Sequence, residues 1–392
     1  MRYRLETADG RAVDVDGTRL AAPDGACDIV VELGPVELRA GLINAHDHLH
    51  RNHYPRLGAP PYPDAYAWGR DIHARWADEI ARCRTLGRGD ALLFGALKNL
   101  LGAATSVVHH DRWEPAFGGD FPVRVVRLRI AHSLRLEPEA VAAAAGGRGH
   151  APAGLAGRAA RARIAGARGG DVPQAAAFCI HLAEGATSAV ADEVRELAGR
   201  GLLDRGLLAV HVVGADADGV QRLRAAGAGV VWCPTSNRFL FGRTAPAELL
   251  APGIDVLLGS DALLTGDGTL LDELRAARAL GILDDARLRD AVGATAARRL
   301  GLPAPSLAPG SPADLVALRR PVLEATPADV DLAVVGGVPR LGDERFAELF
   351  ERAGVATEAL RVGGTTKLVA RPLGTVARRV LELSPECGRI FA

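Results

Sequence analysis

The chain has 392 residues, 48% of them hydrophobic, and its 47 basic and 47 acidic residues balance to a formal charge of zero. That composition can bury the core of one large domain, or a large one with a small companion. The neutral balance, with no basic run, gives no footing for a nucleic-acid or anionic-membrane partner.

No apolar stretch reaches the ~18 residues of a membrane-spanning helix. The opening Met1-Arg-Tyr-Arg-Leu-Glu lacks the apolar core of a signal peptide. The five cysteines (Cys27, Cys83, Cys179, Cys233, Cys387) are far apart and make neither a disulfide framework nor a Cys-x-x-Cys metal knuckle. A reduced, cytoplasmic home is the expectation.

Residues 1–40 hold short alternating pieces at 12–15 and 29–33 with Gly and Pro between, which read as β-strands and turns. At residue 41 the character changes. Gly41-Leu-Ile-Asn-Ala-His46-Asp-His48 is an apolar run ending in His-x-His, and on a strand residues two apart point the same way. His46 and His48 can therefore grip one metal ion together.

Residues 92–101 carry apolar groups at helical spacing and stop at Gly102; 105–108 then read as a strand ending at His109-His110-Asp111. Residues 123–130 read as a third strand, ending at Ala131-His132-Ser133. Residues 142–170 are Ala, Gly or Arg except for His150, Pro152, Leu155 and Ile164. They read as a helix of poor apolar content or a mobile excursion.

Phe178-Cys179-Ile180 runs into His181. Ser188 can cap a helix with Val190, Val194 and Leu197 on one face. Residues 207–210 lead to His211, 230–232 to Cys233-Pro-Thr-Ser-Asn237, and 256–258 to Gly259-Ser260-Asp261. Helices at 271–280 and 286–300 follow. Residues 310–318 return to a β-like pattern, and 332–335 with Gly336-Gly337 reads as a hairpin. The last fifty residues hold a helix around 346–350 and another around 376–383.

Continuous apolar strands alternating with helices indicate a buried parallel sheet. Metal-capable residues recur at the carboxyl ends of the strands, the rim on which a (β/α)8 barrel builds its site. The doubly wound alternative lacks its glycine-rich phosphate loop. Seven strands are legible. An eighth lies between 130 and 178, or 123–130 is itself the fourth and the third is hidden.

The motifs Gly-Leu-Ile-Asn-Ala-His-Asp-His, His-Leu-Ala-Glu-Gly (181–185), the His211 strand, Cys-Pro-Thr-Ser-Asn (233–237), Gly-Ser-Asp (259–261), Ala-Thr-Ala-Ala-Arg-Arg-Leu-Gly (294–301) and Pro-Gly-Ser-Pro-Ala-Asp-Leu-Val (309–316) occur in one order across residues 40 to 318. In that set the chain resembles the amidohydrolase superfamily. It is most similar to the aminohydrolase branch of cytosine, guanine and S-adenosylhomocysteine deaminases and triazine hydrolases. The resemblance implies an α/β fold: a (β/α)8 TIM-like barrel over 41–307 with one poorly marked strand, a small β-sandwich from 1–40 and 308–340, and a C-terminal helical tail, 341–392, packed on the barrel.

It also implies that His46, His48, His181 and Asp261 bind one divalent metal, zinc by donor type with iron or manganese as alternatives. Glu184 would be the proton shuttle, and His211 would contact the metal-bound hydroxide. Asn237, on the Cys-Pro-x-Ser-Asn strand, would shape the substrate pocket, with His109, His132, Trp113 and Phe239 as further candidate contacts. Arg112, Arg238 and Arg243 follow strand ends and could hold a carboxylate or phosphate; His50, His53, His73 and His150 read as structural or surface residues.

The chain departs from the family pattern at Ala40, where proline is usual, in a compressed fourth-strand region, and in Phe239-Leu-Phe-Gly-Arg after Ser-Asn. Members with two metals bridge them by a lysine on the fourth strand. The only lysines here are Lys98, in a helix before the second strand, and Lys367, in the tail. One metal is therefore expected, with Glu137 as the alternative bridge.

The function implied is a metal-dependent hydrolase of C–N bonds, foremost a hydrolytic deaminase of a small nitrogen heterocycle. Hydrolysis of a cyclic amide and a catalytically silent scaffold are the alternatives. The expected partner is a small-molecule substrate, and the family implies a homodimer or higher homo-oligomer.

Overall fold

Alternating burial shapes the first strands. In β1 (Arg2–Thr7), Tyr3, Leu5 and Thr7 are buried and their neighbours are not, the two-residue side-chain period of a strand over one core. β1 pairs antiparallel with β2 (Ala12–Asp16), which pairs with β3 (Arg19–Ala21), and parallel with β4 (Ile29–Gly34). β5 (Glu37–Ala40) leaves this sheet for another described below. The computed structural model describes residues 1–146 and 177–392. The Ala/Gly/Arg-rich stretch begins inside the helix Pro138–Gly146; from residue 147 it lies outside the described residues.

Among the described residues eight strands follow, parallel to their neighbours within two sheets. β6 (Leu42–Asp47), β7 (Ala104–His109) and β8 (Arg124–Val125) form one sheet. β9 (Arg129–Ser133), β10 (Phe178–Leu182), β11 (Leu207–His211), β12 (Gly229–Trp232) and β13 (Val256–Leu258) form the other, in chain order. Every residue of β6, β7 and β10 to β13 is buried, as strands covered on both faces must be.

The strand that the sequence leaves unplaced is found here. The run 123–130 is two strands: Val126 still donates its amide to Val107 (2.8 Å), whereas Arg129 onward pairs with β10. No Gly or Pro marks the break, so a run of Val, Leu, Ile and Arg without a turn residue conceals it. The expected helix 286–300 is likewise two, Asp285–Ala291 and Ala294–Leu300. Between them the carbonyl of Val292 leaves the helical ladder to accept from the amide of Ile43 in β6 (2.9 Å).

The two parallel sheets approach each other where β13 meets β6. Past the end of β13, the Asp261 amide donates to the carbonyl of His46 (3.0 Å). A Cβ on Gly259 would stand 2.5 Å from that of His46, so only glycine allows the approach.

β14 (Leu315–Leu318), β15 (Val330–Val335), β16 (Val338–Asp343), β17 (Thr357–Val362) and β18 (Thr365–Ala370) build a six-stranded sheet in the order β17-β18-β16-β15-β14-β5. Its β5 edge pairs antiparallel with β14, from Ala40 opposite Leu315 to Glu37 opposite Leu318. Residues of this sheet (Leu38, Leu315, Ala317, Leu332, Val334) share one apolar cluster with Tyr3, Leu5, Val13, Val15 and Leu33 of the first sheet. The tail is not simply helical as expected. Between the helices Ala347–Arg352 and Leu373–Leu383 it carries the β17–β18 hairpin, turned by Gly363 and Gly364 at positive φ. Among the described residues no helix is long and apolar enough to cross a membrane.

Candidate active site

The chemistry-bearing side chains leave from the carboxyl ends of the parallel strands. His46 lies near the end of β6, and His48 follows it directly. His181 is in β10, His211 ends β11, and Asp261 lies three residues past β13. The backbone is strained here. Ala183 (φ 49°), His211 (φ 70°), Val212 (φ 45°) and Asp261 (φ 50°) all adopt the left-handed region that side chains disfavour. Such strain persists only where the surroundings enforce it. The Ala183 amide donates to Glu193 Oε2 (2.9 Å), and the Val212 amide to the Leu182 carbonyl (3.0 Å).

The result is a convergence of nitrogen and oxygen atoms. Nε2 of His46 and Nε2 of His181 stand 3.3 Å apart. Asp261 Oδ1 lies 3.5 Å from His46 Nε2 and 3.7 Å from His48 Nε2. Donors bound at ~2.1 Å to one tetrahedral ion are separated by about 3.4 Å. Two imidazole nitrogens facing each other at that distance cannot both carry protons, so the cluster fits a cation. Burial holds the His46, His48 and His181 imidazoles below their ordinary range, leaving them neutral and ready to ligate. Asp261 is held below the carboxylate range: burial opposes its ionisation, but hydrogen bonds from His46 and the Ser236 hydroxyl outweigh it. Its Oδ2 accepts from Ser236 (2.7 Å) and Thr265 (2.9 Å), which leaves Oδ1 toward the imidazoles.

Glu184 faces the same centre, with Oε1 3.6 Å from His211 Nε2. Burial pushes its carboxyl up to about 7 against the opposing pull of His211. His211 Nδ1 donates to Asn237 Oδ1 (2.8 Å), which leaves its Nε2 lone pair toward Glu184.

Behind the imidazoles lies a polar network that the sequence reading missed. Lys98 is fully buried; its ammonium donates to the Asp261 main-chain carbonyl (2.6 Å) and to Asp47 Oδ2 (3.2 Å). Asp47 also accepts from Asn99 (2.9 Å) and Asn52 (2.8 Å). Asn44 ties this group to Ser260 (2.7 Å). The signal was present in the sequence: a charged residue between two histidines, and a lysine inside an apolar helix of a chain that otherwise uses arginine.

A cavity of about 1120 Å³ opens over the centre. His48, His132, His181, Glu184, His211 and Asp261 line its floor. Much of its wall comes from the helices Ala65–Arg75 and Ala77–Cys83 and the segment before them, with Tyr54, Leu57, Tyr66, Trp68, Ile72 and Ile80. His50, His53 and His73, set aside as structural or surface residues, also line it.

Of the expected substrate contacts, only His132 reaches the cavity. Asn237 sits behind His211, on a helix (Pro234–Phe241) rather than the expected strand. His109 is buried, accepting from the Leu49 amide (3.2 Å). Trp113 packs edge-on to Phe117, and Phe239 lies under the Arg56 guanidinium. Glu137, the alternative bridge, caps the His132 amide (2.8 Å). His50, His109 and Asp111 form a second group of ligand-capable side chains, with Arg88 3.8 Å from Asp111.

Parallel strands carrying a buried histidine and carboxylate cluster at their carboxyl ends define an α/β protein with a candidate divalent-metal centre. Residues 176–340 match the amidohydrolase family. A 5-methylthioadenosine/S-adenosylhomocysteine deaminase of Pelotomaculum thermopropionicum is 33% identical over 173 residues, 37% of this chain. The match spans only 39% of that relative's length. Two solved structures share the fold at lower identity. An adenosine deaminase from Xanthomonas campestris with bound zinc has a TM-score of 0.57 at 18% identity, over 90% of this chain and 96% of its own. A zinc-complexed atrazine chlorohydrolase from Arthrobacter aurescens has a TM-score of 0.59 at 18% identity, over 90% and 99%.

Proposed function

We propose that the protein is a metal-dependent hydrolase that removes ammonia or an amine from a small nitrogen heterocycle. The observation that carries this reading is the pair of ligand-capable groups that meet at His46, one with His48 and Asp261 and one with His181 and His211, with Glu184 beside His211; His46, His48, His181 and Asp261 are the four residues we assign to the ion. One zinc ion held by those four residues would lower the pKa of a water to about 7, supplying hydroxide at neutral pH. The deaminase relative and the zinc-bound neighbours support the same choice of reaction and ion.

This chain's own groups then move the protons. Glu184, with its carboxyl near 7, holds a proton at neutral pH and can give it to a ring nitrogen as the attacked carbon becomes tetrahedral. His211, fixed in one tautomer by Asn237, presents Nε2 as a base. Once protonated it stabilises the negative oxygen that develops. Asp261, ionised beforehand, would take the proton of the attacking water and pass it on to the departing amine. Closing the cavity over the ring would exclude competing water.

We further infer that the eight parallel strands follow one another around a single barrel, closed where β13 meets β6. The two terminal sheets then form a β-sandwich beside it. The β13 to β6 approach through Asp261 and His46 supports the closure, and the shared apolar cluster supports the sandwich.

The test is ammonia release from a panel of aminated heterocycles, with zinc content measured on the same preparation. Release should scale with metal and stop on chelation. A ring-opened acid without ammonia would instead favour cyclic-amide hydrolysis. A fully metal-loaded protein inert on the whole panel would favour a silent scaffold, and two ions per chain would end the single-metal reading.

A further inference from the structure

The deaminase reading leaves one wall of the cavity unexplained. Arg51 lies three residues past His48, closing the short turn Leu49–Arg51, half-buried and lining the cavity with Glu184 and His132. Its Nε stands 3.3 Å from His50 Nε2. Among the described residues it makes no ion pair, unlike Arg88, which lines the same cavity and is paired with Glu114. A half-buried guanidinium loses hydration without an anion to replace it.

Among the described residues no carboxylate of the cavity stands within ion-pair distance of Arg51. The cavity's acidic groups are Glu184, Glu193 and Asp261. Glu193 accepts from Tyr66 (2.7 Å) and from the Ala183 amide, and Asp261 accepts from Ser236 and Thr265. Arg51, Arg70, Arg84 and Arg88 face those three acids, and a divalent ion would add two more positive charges. The remaining wall is apolar and aromatic, with Leu57, Tyr66, Trp68 and Ile72 suited to a flat ring.

We propose that the substrate is a nitrogen heterocycle bearing a carboxylate, and that Arg51 determines specificity by binding that carboxylate while the ring lies over the metal centre. This rests on the deaminase reading for the ring and on Arg51 for the anion. A planar guanidinium offers two parallel N–H donors to a carboxylate. A cavity of about 1120 Å³ has room for both parts.

The test uses zinc-loaded protein titrated calorimetrically with benzoate, benzamide and phenyl phosphate, in wild type and in Arg51→Met. Wild type is expected to bind benzoate at least ~10-fold more tightly than benzamide. The variant should lose that preference while keeping its zinc. A preference that survives Arg51→Met would put the carboxylate on the metal and overturn the proposal. So would the absence of a preference in wild type, or tighter Arg51-dependent binding of phenyl phosphate. Should the methionine variant not fold, Arg51→Lys keeps the charge without the fork, and an undiminished preference there counts against the proposal. Ammonia release is read separately. Its absence alongside Arg51-dependent benzoate binding would remove the deaminase reading and leave the carboxylate subsite standing.

Discussion

At the scale of single residues, the site divides into side chains that would hold an ion and side chains that would move protons, Glu184 foremost. Glu184→Gln keeps size and hydrogen bonding but cannot release a proton. Turnover should fall ~10²-fold or more with zinc content unchanged; near wild-type turnover would make Glu184 an ordinary acid at the start of a turn. His181→Ala should lose the ion itself, read by elemental analysis. Lys98 acts from behind. Its ammonium is fully buried against Asp47 and holds the strained carbonyl segment of Asp261. Lys98→Met leaves Asp47 as an uncompensated buried charge, which costs about 3–5 kcal/mol. Chemical denaturation should show that loss, together with weaker zinc retention. A variant as stable as wild type would mean that Asp47 finds its charge balance elsewhere.

At the scale of elements, the turn after β10 and the start of the helix Ala65–Arg75 form one unit. The Ala65 amide donates to the Glu184 carbonyl (3.0 Å), and the Ala186 amide to that of Pro63 (2.7 Å). Gly185 sits between them at φ 156°, and a Cβ there would stand 2.6 Å from Asp64 Cα. Gly185→Ala must therefore push the cavity wall away from the turn that carries Glu184. A displacement near 1 Å costs on the order of 10²-fold in rate. The prediction is that loss of kcat with zinc content preserved, since His181 lies upstream on the strand. Unchanged kcat would show that the two elements move independently.

At the scale of the whole molecule, stability should carry the mark of a buried carboxyl far from any titrating surface. Glu273 is fully buried, accepting from the Thr235 amide (3.1 Å) and hydroxyl. Burial pushes it up to about 8, from a model-compound value of 4.5. The folded state thus keeps a proton that the unfolded chain releases. Its contribution to stability is full below pH ~4.5 and is lost as pH rises toward 8. Glu273→Gln should flatten the decline in unfolding free energy between pH 5 and 8, measured with urea on zinc-loaded protein. Parallel wild-type and variant profiles would show that Glu273 ionises in the fold without cost.

Much of this protein was legible in its sequence because short-range chemistry was enough. His46, His48, His181, His211 and Asp261 each end an apolar run, and period-two projection from buried strands brings such ends together. The motifs that frame them carry the resemblance to the amidohydrolase superfamily, and residues 176–340 match the amidohydrolase family. What the sequence could not reveal was set by long-range packing. The two strands inside 123–130 look like one because the bend between them is imposed by neighbours β7 and β10, with no Gly or Pro to mark it. Asn237, Trp113, Phe239 and His109 follow or end strands as pocket residues do, yet they turn into the core, because the sign of a side chain's direction past a strand end depends on how the loop packs. Lys98 and Asp47 are 51 residues apart, and only the tertiary fold could join them behind the imidazoles. The cavity wall from Tyr54 to Ile80 carries no periodic signal of function. Its place over the centre is decided by backbone pairing with residues 184–186, a contact between segments that share no local pattern.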